Sequence, residues 1–253
     1  MEHNDSAIIM PDIEILDSAG HLTAVEIPAG LGSYVPRFDV GFESQWYEFD
    51  YPSENVSYIA TCRVKGRILI EGEECIEVTY VCRNSEDEIT GSKQMFYATR
   101  ADWVFWIGQI LHSLKQDTPD IFEKITSNGL RRHIKRGDEW IEEYTYRCGK
   151  VRRRERVEGV ARNNAIVKID DKEYQCLHIR SLDEYQPENG EIRRGLSETF
   201  IDERGYDILY RRYAGPGFRP EILERLADAP SIKHNGQVWK LLYTSVREGG
   251  VKL

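Results

Sequence analysis

The sequence lacks any apolar run long enough to cross a membrane as a helix. Such a helix needs roughly 20 consecutive apolar residues, and no stretch of the chain approaches that length. Hydrophobic residues make up 40% and charged residues 30% of the 253 residues, a balance typical of a folded globular chain. The first residues also carry neither the basic nor the apolar region of a secretory signal. We therefore expect no membrane span and no export signal.

Cysteine is scarce, and its number is odd. Each cysteine lies in a stretch with the alternating pattern of a strand, and the five are Cys62, Cys75, Cys82, Cys148 and Cys176. Their spacing indicates neither a disulfide framework nor a zinc site of the Cys-x-x-Cys type. The sequence predicts buried thiols in a reducing cytoplasm, with no metal and no cofactor.

Catalytic motifs are missing as well, including the Gly-x-Ser-x-Gly elbow of serine hydrolases. Cys176 and His178 share one face of a predicted strand, but they lie about 7 Å apart along it. That separation is long for a nucleophile and its base, and a metal site there would also need Cys148 or His133. Several carboxylates could supply an acid–base pair, but a position on the outer face of a sheet explains them equally well. These carboxylates are Glu142, Glu143, Glu198, Asp202 and Glu203.

The charge is uneven along the chain. Residues 1–50 contain ten acidic groups and one basic group, Arg37, and so carry the whole net charge of −9. An acidic segment disfavours nucleic acid as a partner, and we expect residues 1–45 to form a solvated N-terminal arm. The basic run at residues 150–156 predicts a solvated edge strand guarded by charge. Pairing of this run with the acidic arm, or an anion-binding patch, are the alternatives.

Two halves of the chain echo each other in order. Residues 119–125 match residues 220–226, and Trp140 with its following Tyr-Thr pair matches Trp239 with its own. Further matches join Cys75 to Cys176 and the stretch from Phe96 to that from Phe200. These matches predict a duplication of about 95 residues. We expect an arm over 1–45, repeat 1 over 46–139, and repeat 2 over 140–253 with a closing strand at 239–247.

Most of each predicted repeat alternates with period two. The stretch 75–82 carries Ile76, Val78 and Tyr80 on one face and polar groups on the other, which is typical of a half-buried antiparallel strand. Glu71-Gly72 and Asp170-Asp171 fit tight hairpin turns. The fold class predicted is therefore mainly β (α+β), with antiparallel strands in each repeat followed by one short helix.

Helix signals occur in a few places only. Pro119 and Pro220 each stand at the start of a short amphipathic stretch, so helices are predicted over 119–125 and 220–226. The stretch 103–114 has apolar residues at helical spacing, and we expect a strand that turns into a short helix near Ile107. The predicted architecture is a curved sheet or half-barrel with helices covering its concave side.

This architecture resembles the lipoprotein-carrier half-barrels of bacterial envelopes. The resemblance is carried by the hairpin from Tyr174 to Ile179, followed by Ser197 to Gly205, and it extends over roughly residues 46–247. It implies binding of an apolar or lipid-like ligand and no catalysis.

The leading functional hypothesis is a non-enzymatic binding protein that holds an apolar small molecule in the concavity of the sheet. Aromatic side chains suit the lining of such a pocket, and the predicted ligand-binding residues are Trp103, Trp106, Tyr144, Tyr146 and Tyr210. One alternative is a protein–protein interaction scaffold that uses the acidic arm or the basic run. Another alternative is an unrecognised hydrolase or isomerase.

Overall fold

The computed structural model describes residues 8–17, 21–115, 117–188 and 190–247. Strands account for 65% of the structure and helix for 3%. The elements in chain order are β1 (Ile13–Asp17), β2 (Ala24–Glu26), β3 (Glu43–Asp50), β4 (Tyr58–Ile70), β5 (Glu73–Asn84), β6 (Ile89–Arg100), β7 (Trp103–Leu111), β8 (Ile121–Ser127), β9 (Leu130–Arg131), β10 (His133–Lys135), β11 (Glu139–Cys148), β12 (Val151–Ile169), β13 (Lys172–Pro187), β14 (Arg193–Asp202), β15 (Asp207–Ala214), α1 (Pro220–Arg225), β16 (Ser231–His234) and β17 (Gln237–Arg247).

Twelve antiparallel strands form a closed barrel. They follow one another in the order β12-β11-β8-β7-β6-β5-β4-β3-β17-β15-β14-β13, and β13 pairs with β12 to close the ring. The closing pair runs from Ile169 opposite Lys172 to Arg153 opposite Pro187. The predicted half-barrel with covering helices is therefore wrong. Closure satisfies the backbone groups that a half-barrel would leave unpaired at its two edges.

Tight turns set the register of the long hairpins, as the sequence predicts. Glu71 and Gly72 join β4 to β5, and both have positive φ angles of 51° and 86°. Two consecutive residues with positive φ form a type I′ turn, whose twist matches that of the two antiparallel strands it joins. Asp170 and Asp171 make the corresponding connection between β12 and β13.

One end of the barrel is filled by the segment 21–42, which we call the plug, and the strand β2 of this segment pairs with β10. The backbone N–H of Ile27 donates to Arg132 O at 2.7 Å, and Val25 and Ile27 pack with Ile134 and Trp140. We call this the closed end. The expectation of a solvated arm is wrong for this segment, because its apolar residues complete the core beneath the strand ends.

The remaining elements pack around the barrel. The strand β1 pairs with the last five residues of β12, from Ile13 opposite Ile169 to Asp17 opposite Ala165. The helix α1 lies beside Ala214 and Tyr51, and β16 pairs with β17. The segment between β15 and β17 thus lies at the end opposite to the plug, which we call the open end.

Of the two predicted helices, one forms and one does not. Residues Pro220–Arg225 form α1, with proline in the first turn, whereas Ile121–Ser127 form the strand β8. In β8 the buried residues Glu123 and Ile125 alternate with exposed ones, and the strand pairs with β7 and β11. In the second half of the chain, the position between β15 and β3 is taken by β17. Residues 220–225 are therefore not needed as a strand and form a helix.

The stretch after Trp103 also departs from the prediction. Residues Trp103–Leu111 form one continuous strand, β7, and no helix begins near Ile107. Its hydrogen bonds with β6 and β8 extend to Leu111 on both sides. Pairing on two sides thus overrides the helical spacing of the apolar residues.

The duplication remains a prediction, and the structure places its matched positions as follows. Cys75 on β5 and Cys176 on β13 are both fully buried. Glu77 lies opposite Phe96, and His178, the matching residue, lies opposite Phe200. The predicted closing strand falls within β17, which pairs with β15 and β3.

Candidate functional site

The candidate site is the inside of the barrel towards its open end. Residues that face each other on adjacent antiparallel strands project to the same side of the sheet. Ser245 lies opposite both Glu48 and Tyr210, and Tyr80 lies opposite Lys93. These residues therefore form rows along neighbouring strands.

Interactions across the barrel show that these rows face inward. The carboxylate of Glu155 on β12 is influenced electrostatically by Arg212 on β15 and by Lys93 on β6. The strands β11, β8 and β7 separate β12 from β6 in the ring. Side chains on such distant strands approach one another only on the concave side of a closed sheet.

This inward-facing set defines the lumen. Its members are half-buried, apart from Tyr34 of the plug, which is 39% exposed. Inside a closed barrel, partial exposure requires space that is open to solvent. The lumen consists of Tyr34, Glu48, Tyr80, Lys93, Trp106, Tyr146, Glu155, Asp183, Tyr210, Arg212 and Tyr243.

Aromatic rings surround the ammonium group of Lys93. Its Nζ lies 4.7 Å from the ring centroid of Tyr34, 5.0 Å from that of Tyr80 and 5.8 Å from that of Trp106. Each distance lies within the roughly 6 Å at which a ring face attracts a cation. The lysine thus brings a positive charge into an aromatic wall of the lumen.

A second aromatic group continues from Trp106. The ring centroid of Trp106 lies 6.0 Å from that of Tyr144 and 5.5 Å from that of Tyr146. The Tyr146 hydroxyl donates to Glu155 Oε2 at 2.7 Å, and the Tyr144 hydroxyl donates to Glu142 Oε2 at 2.9 Å. Aromatic faces and carboxylate oxygens thus alternate on this side of the lumen.

The opposite wall combines two tyrosines with an ion pair. The rings of Tyr210 and Tyr243 lie 6.0 Å apart. The Arg212 guanidinium contacts both carboxylate oxygens of Asp183, and the two side chains are 21% and 14% exposed. A two-pronged contact of this kind fixes the orientation of both groups.

Burial changes the acidity of the carboxyl groups in and below the lumen. Burial, together with the nearby Asp50, raises the pKa of Glu48 to about 7, against the lowering effect of a hydrogen bond with Ser245. Burial likewise raises the pKa of Glu142 to about 7 and raises the pKa of Glu155. Glu48 and Glu142 can therefore change protonation near neutral pH.

The structure brings four of the five predicted ligand-binding residues to the inside of the barrel. Trp106, Tyr144 and Tyr146 lie in mutual contact, and Tyr210 lies on the facing wall. Trp103 lies apart from them at the closed end, where it is 40% exposed and Arg131 lies 5.7 Å from its ring centroid.

Most of the polar lining could not be predicted from the sequence. Lys93, Glu155 and Arg212 have no motif, and only ring closure brings their strands together. Tyr80 carried a usable signal, because it alternates with Ile76 and Val78 on the buried face of β5. The contribution of Tyr34 had no signal, since it depends on the plug entering the barrel.

Of the Cys176 and His178 pair, His178 forms part of a buried hydrogen-bonded network. His178 Nε2 lies 3.0 Å from Glu198 Oε1, and its Nδ1 lies 3.2 Å from Asn163 Oδ1. Burial would raise the pKa of Glu198, but hydrogen bonds from His178, Tyr213 and Arg180 outweigh it and hold that pKa at about 2. Burial raises the pKa of the Cys176 thiol, which disfavours the thiolate that a nucleophile requires.

The basic run lies on β12, which pairs with β11 and β13, so it is not an edge strand. Arg154 and Arg156 contact Glu143, and Arg153 contacts Glu123. These acidic partners lie on β11 and β8, and Arg156 also contacts Glu158 on β12 itself.

Within residues 8–17, 21–115, 117–188 and 190–247, no helix has the length and apolarity that crossing a membrane requires. Over the same residues, no cluster of three or more His, Cys, Asp or Glu side chains is arranged to hold a metal ion. The five thiols are free, and those of Cys62, Cys75 and Cys176 are buried.

Comparison with solved structures gives a distant likeness of fold. One neighbour, from Bacteroides fragilis, is named as a candidate exported protein with a YmcC-like fold. It has a TM-score of 0.49 and 10% identity, over 98% of this chain and 100% of that chain. Another, a candidate lipoprotein from Parabacteroides distasonis, has a TM-score of 0.46 and 9% identity, over 83% of this chain and 94% of that chain. No protein-family model and no curated protein matches the chain.

The names of both neighbours disagree with the expected cytoplasmic location, since one is an exported protein and the other a lipoprotein. At this degree of likeness, those names describe the neighbours and assign no compartment to this chain. Free cysteines and first residues without an apolar region do not by themselves define a compartment. The resemblance to lipoprotein carriers is supported at the level of an antiparallel β-barrel, with no particular identity.

Proposed function

We propose that this chain is a binding protein whose lumen takes up a small polar molecule, for which a mono- or disaccharide is the best-fitting class. The observation that carries this proposal is the half-exposed lining inside a closed barrel. A barrel interior serving only as a core would be filled by apolar side chains, as at the closed end. The proposal keeps the binding role predicted from the sequence and changes the kind of ligand.

The polar lining argues against the apolar ligand that the sequence predicts. An apolar molecule in the lumen would remove water from Lys93, Glu155 and Arg212 without replacing its hydrogen bonds. Covering a polar group in that way costs on the order of 2 kcal/mol or more for each group. A ligand with its own hydroxyl groups avoids this cost.

The lining also suits the two kinds of surface that a sugar ring carries. Its hydroxyl groups can donate to Glu155 and Asp183 and accept from Lys93. Its C–H faces can pack on flat rings such as those of Trp106 and Tyr210, whose faces are electron-rich. Aromatic walls with a few placed polar groups are typical of small-molecule sites.

Isothermal titration calorimetry with a panel of neutral and acidic mono- and disaccharides tests this proposal, with palmitate as the apolar comparison. Trp106→Phe and Tyr210→Leu each remove aromatic surface from the lumen, whereas Trp103→Phe alters a tryptophan of the same strand as Trp106 at the closed end. We expect at least one saccharide to bind the wild type. We also expect the two lumen variants to weaken binding about tenfold, since each removes ligand contacts of about 1 kcal/mol or more.

Two results would contradict the proposal. One is binding of palmitate with no binding of any saccharide, which would restore the apolar-ligand hypothesis. The other is saccharide binding that Trp103→Phe weakens as much as Trp106→Phe does, which would place the site outside the lumen.

A further inference from the structure

A separate cleft lies at the closed end of the barrel, and its volume is about 440 Å³. That volume is within the range of small-molecule sites. The cleft is formed by the start of β3, the end of β17 and the tips of the β12–β13 and β14–β15 hairpins. Its lining residues are Phe42, Glu43, Ser44, Gln45, Lys172, Tyr174, Arg204, Tyr206, Ile208 and Arg247.

Arg247 provides a fixed positive charge in this cleft. Its side chain is 7% exposed, its Nε donates to Asp207 O at 2.9 Å, and its two Nη atoms contact Ser44 Oγ and the Asp207 carboxylate. The guanidinium also lies 4.4 Å from the ring centroid of Trp46. These contacts hold the cation in one orientation, so that a ligand does not have to order it.

Arg204 provides a second charge that is accessible. Its side chain is 55% exposed, whereas that of its partner Asp202 is 4% exposed. The Nε of Arg204 donates to Asp202 Oδ2 at 2.7 Å, and the guanidinium lies 4.9 Å from the ring centroid of Tyr206. A guanidinium carries five N–H donors, and Asp202 binds the donors on one edge of the Arg204 guanidinium. The outer edge therefore faces solvent while the balancing carboxylate lies beneath it.

Cationic and aromatic side chains line the cleft together. Its charged members are Lys172, Arg204 and Arg247, with Glu43 as the single acid. The rings of Phe42 and Tyr206 lie 6.3 Å apart on one wall, and Tyr174 also lines the cleft. We propose that this cleft binds a small organic anion, in which a carboxylate or phosphate group is attached to a flat apolar group.

Protein-observed NMR with three simple probes tests this proposal independently of the lumen. Benzoate and phenyl phosphate carry the anion on a flat ring, and benzamide is the neutral match of benzoate. The indole N–H signal of Trp46 reports on the cleft through Arg247, and that of Trp106 reports on the lumen. The variants are Arg204→Gln and Lys172→Gln, with Lys168→Gln, an exposed lysine on the outside of β12, as the control.

We expect benzoate or phenyl phosphate to shift the Trp46 signal saturably, and benzamide to bind at least tenfold more weakly. Arg204→Gln and Lys172→Gln should each weaken the anion about fivefold, since a charge-assisted hydrogen bond is lost. Lys168→Gln should leave binding unchanged. Equal binding of benzoate and benzamide, no saturable shift of Trp46 with either anion, or an equal effect of Lys168→Gln would overturn the proposal. If saccharides do not shift the indole N–H signal of Trp106, that result contradicts the proposed lumen site and leaves the proposed cleft site untouched.

Discussion

The hydroxyl group of Tyr146 on β11 donates a hydrogen bond of 2.7 Å to the carboxylate of Glu155 on β12. Both side chains are half-buried inside the barrel. The contact joins an aromatic face and an anionic acceptor on neighbouring strands. That combination recurs around the lumen and is the chemical basis of the proposed binding role.

Removal of the Tyr146 hydroxyl should destabilise the barrel modestly. Tyr146→Phe keeps the ring against Trp106 but leaves Glu155 without this donor, and a hydrogen bond of this kind contributes about 1 kcal/mol. The free energy of unfolding in urea measures the loss. Tyr58→Phe, at a residue 38% exposed, is the control, and equal stabilities of the two variants would show that the contact contributes nothing.

The raised pKa of Glu48 predicts a pH dependence of stability. Its pKa is about 7 in the folded chain and 4.5 as an isolated group, so between these values the folded state binds the extra proton. Its contribution to stability is therefore fully present below pH 4.5 and is lost as the pH rises through about 7. Glu142, whose pKa is also about 7, acts in the same direction.

Glu48→Gln should flatten this part of the stability curve, because an amide does not titrate. Urea unfolding at several pH values between 4.5 and 7.5 measures the slope for the wild type and the variant. Glu54→Gln, at an exposed position, serves as the control. A wild-type slope retained in Glu48→Gln would show that this carboxyl is not held protonated inside the barrel.

The Arg212 and Asp183 pair should show strong coupling. Arg212→Met leaves a carboxylate that is 14% exposed without its partner, and loss of one member of a buried pair costs about 3 kcal/mol. The double variant Arg212→Met with Asp183→Asn removes the stranded charge and should regain part of the loss. Thermal unfolding of both single variants and the double variant gives the coupling, and additive effects would argue against it.

The closed end should tolerate no added volume beside Trp140. A Cβ atom at Gly159 would overlap the indole ring of Trp140, whereas a Cβ atom at Gly66 would meet nothing within 4 Å. Gly159→Ala should therefore cost about 2 kcal/mol through overpacking, and Gly66→Ala, also within a strand, should be nearly neutral. Equal unfolding free energies for the two variants would indicate that Trp140 can move aside.

Local patterns in the sequence predict the strands and several turns, but they do not predict how the sheet ends. The alternation of Ile76, Val78 and Tyr80 and the turn at Glu71-Gly72 depend on neighbours along the chain. Closure depends on the pairing of β3 with β17, between residues about 200 positions apart. No local pattern reports such a contact.

The helix expected over residues 119–125 failed for the same reason. Its proline and apolar spacing match those of residues 220–226, where a helix does form. The difference is that β7 and β11 offer two unpaired edges to the first segment, and filling that gap satisfies more backbone groups than one helical turn does. Similarly, Trp106, Tyr144 and Tyr146 were predictable as aromatic lining, whereas the contact of Tyr34 with Lys93 depends on the plug entering the barrel.

The most direct test of the lumen as a binding site is the indole N–H signal of Trp106 during titration with the saccharide panel. We expect a bound saccharide to shift this signal saturably, to leave the Trp103 signal at the closed end unchanged, and to bind more weakly to Tyr210→Leu. A Trp106 signal that no saccharide moves, in a barrel that nevertheless binds palmitate, would contradict the lumen as a saccharide site.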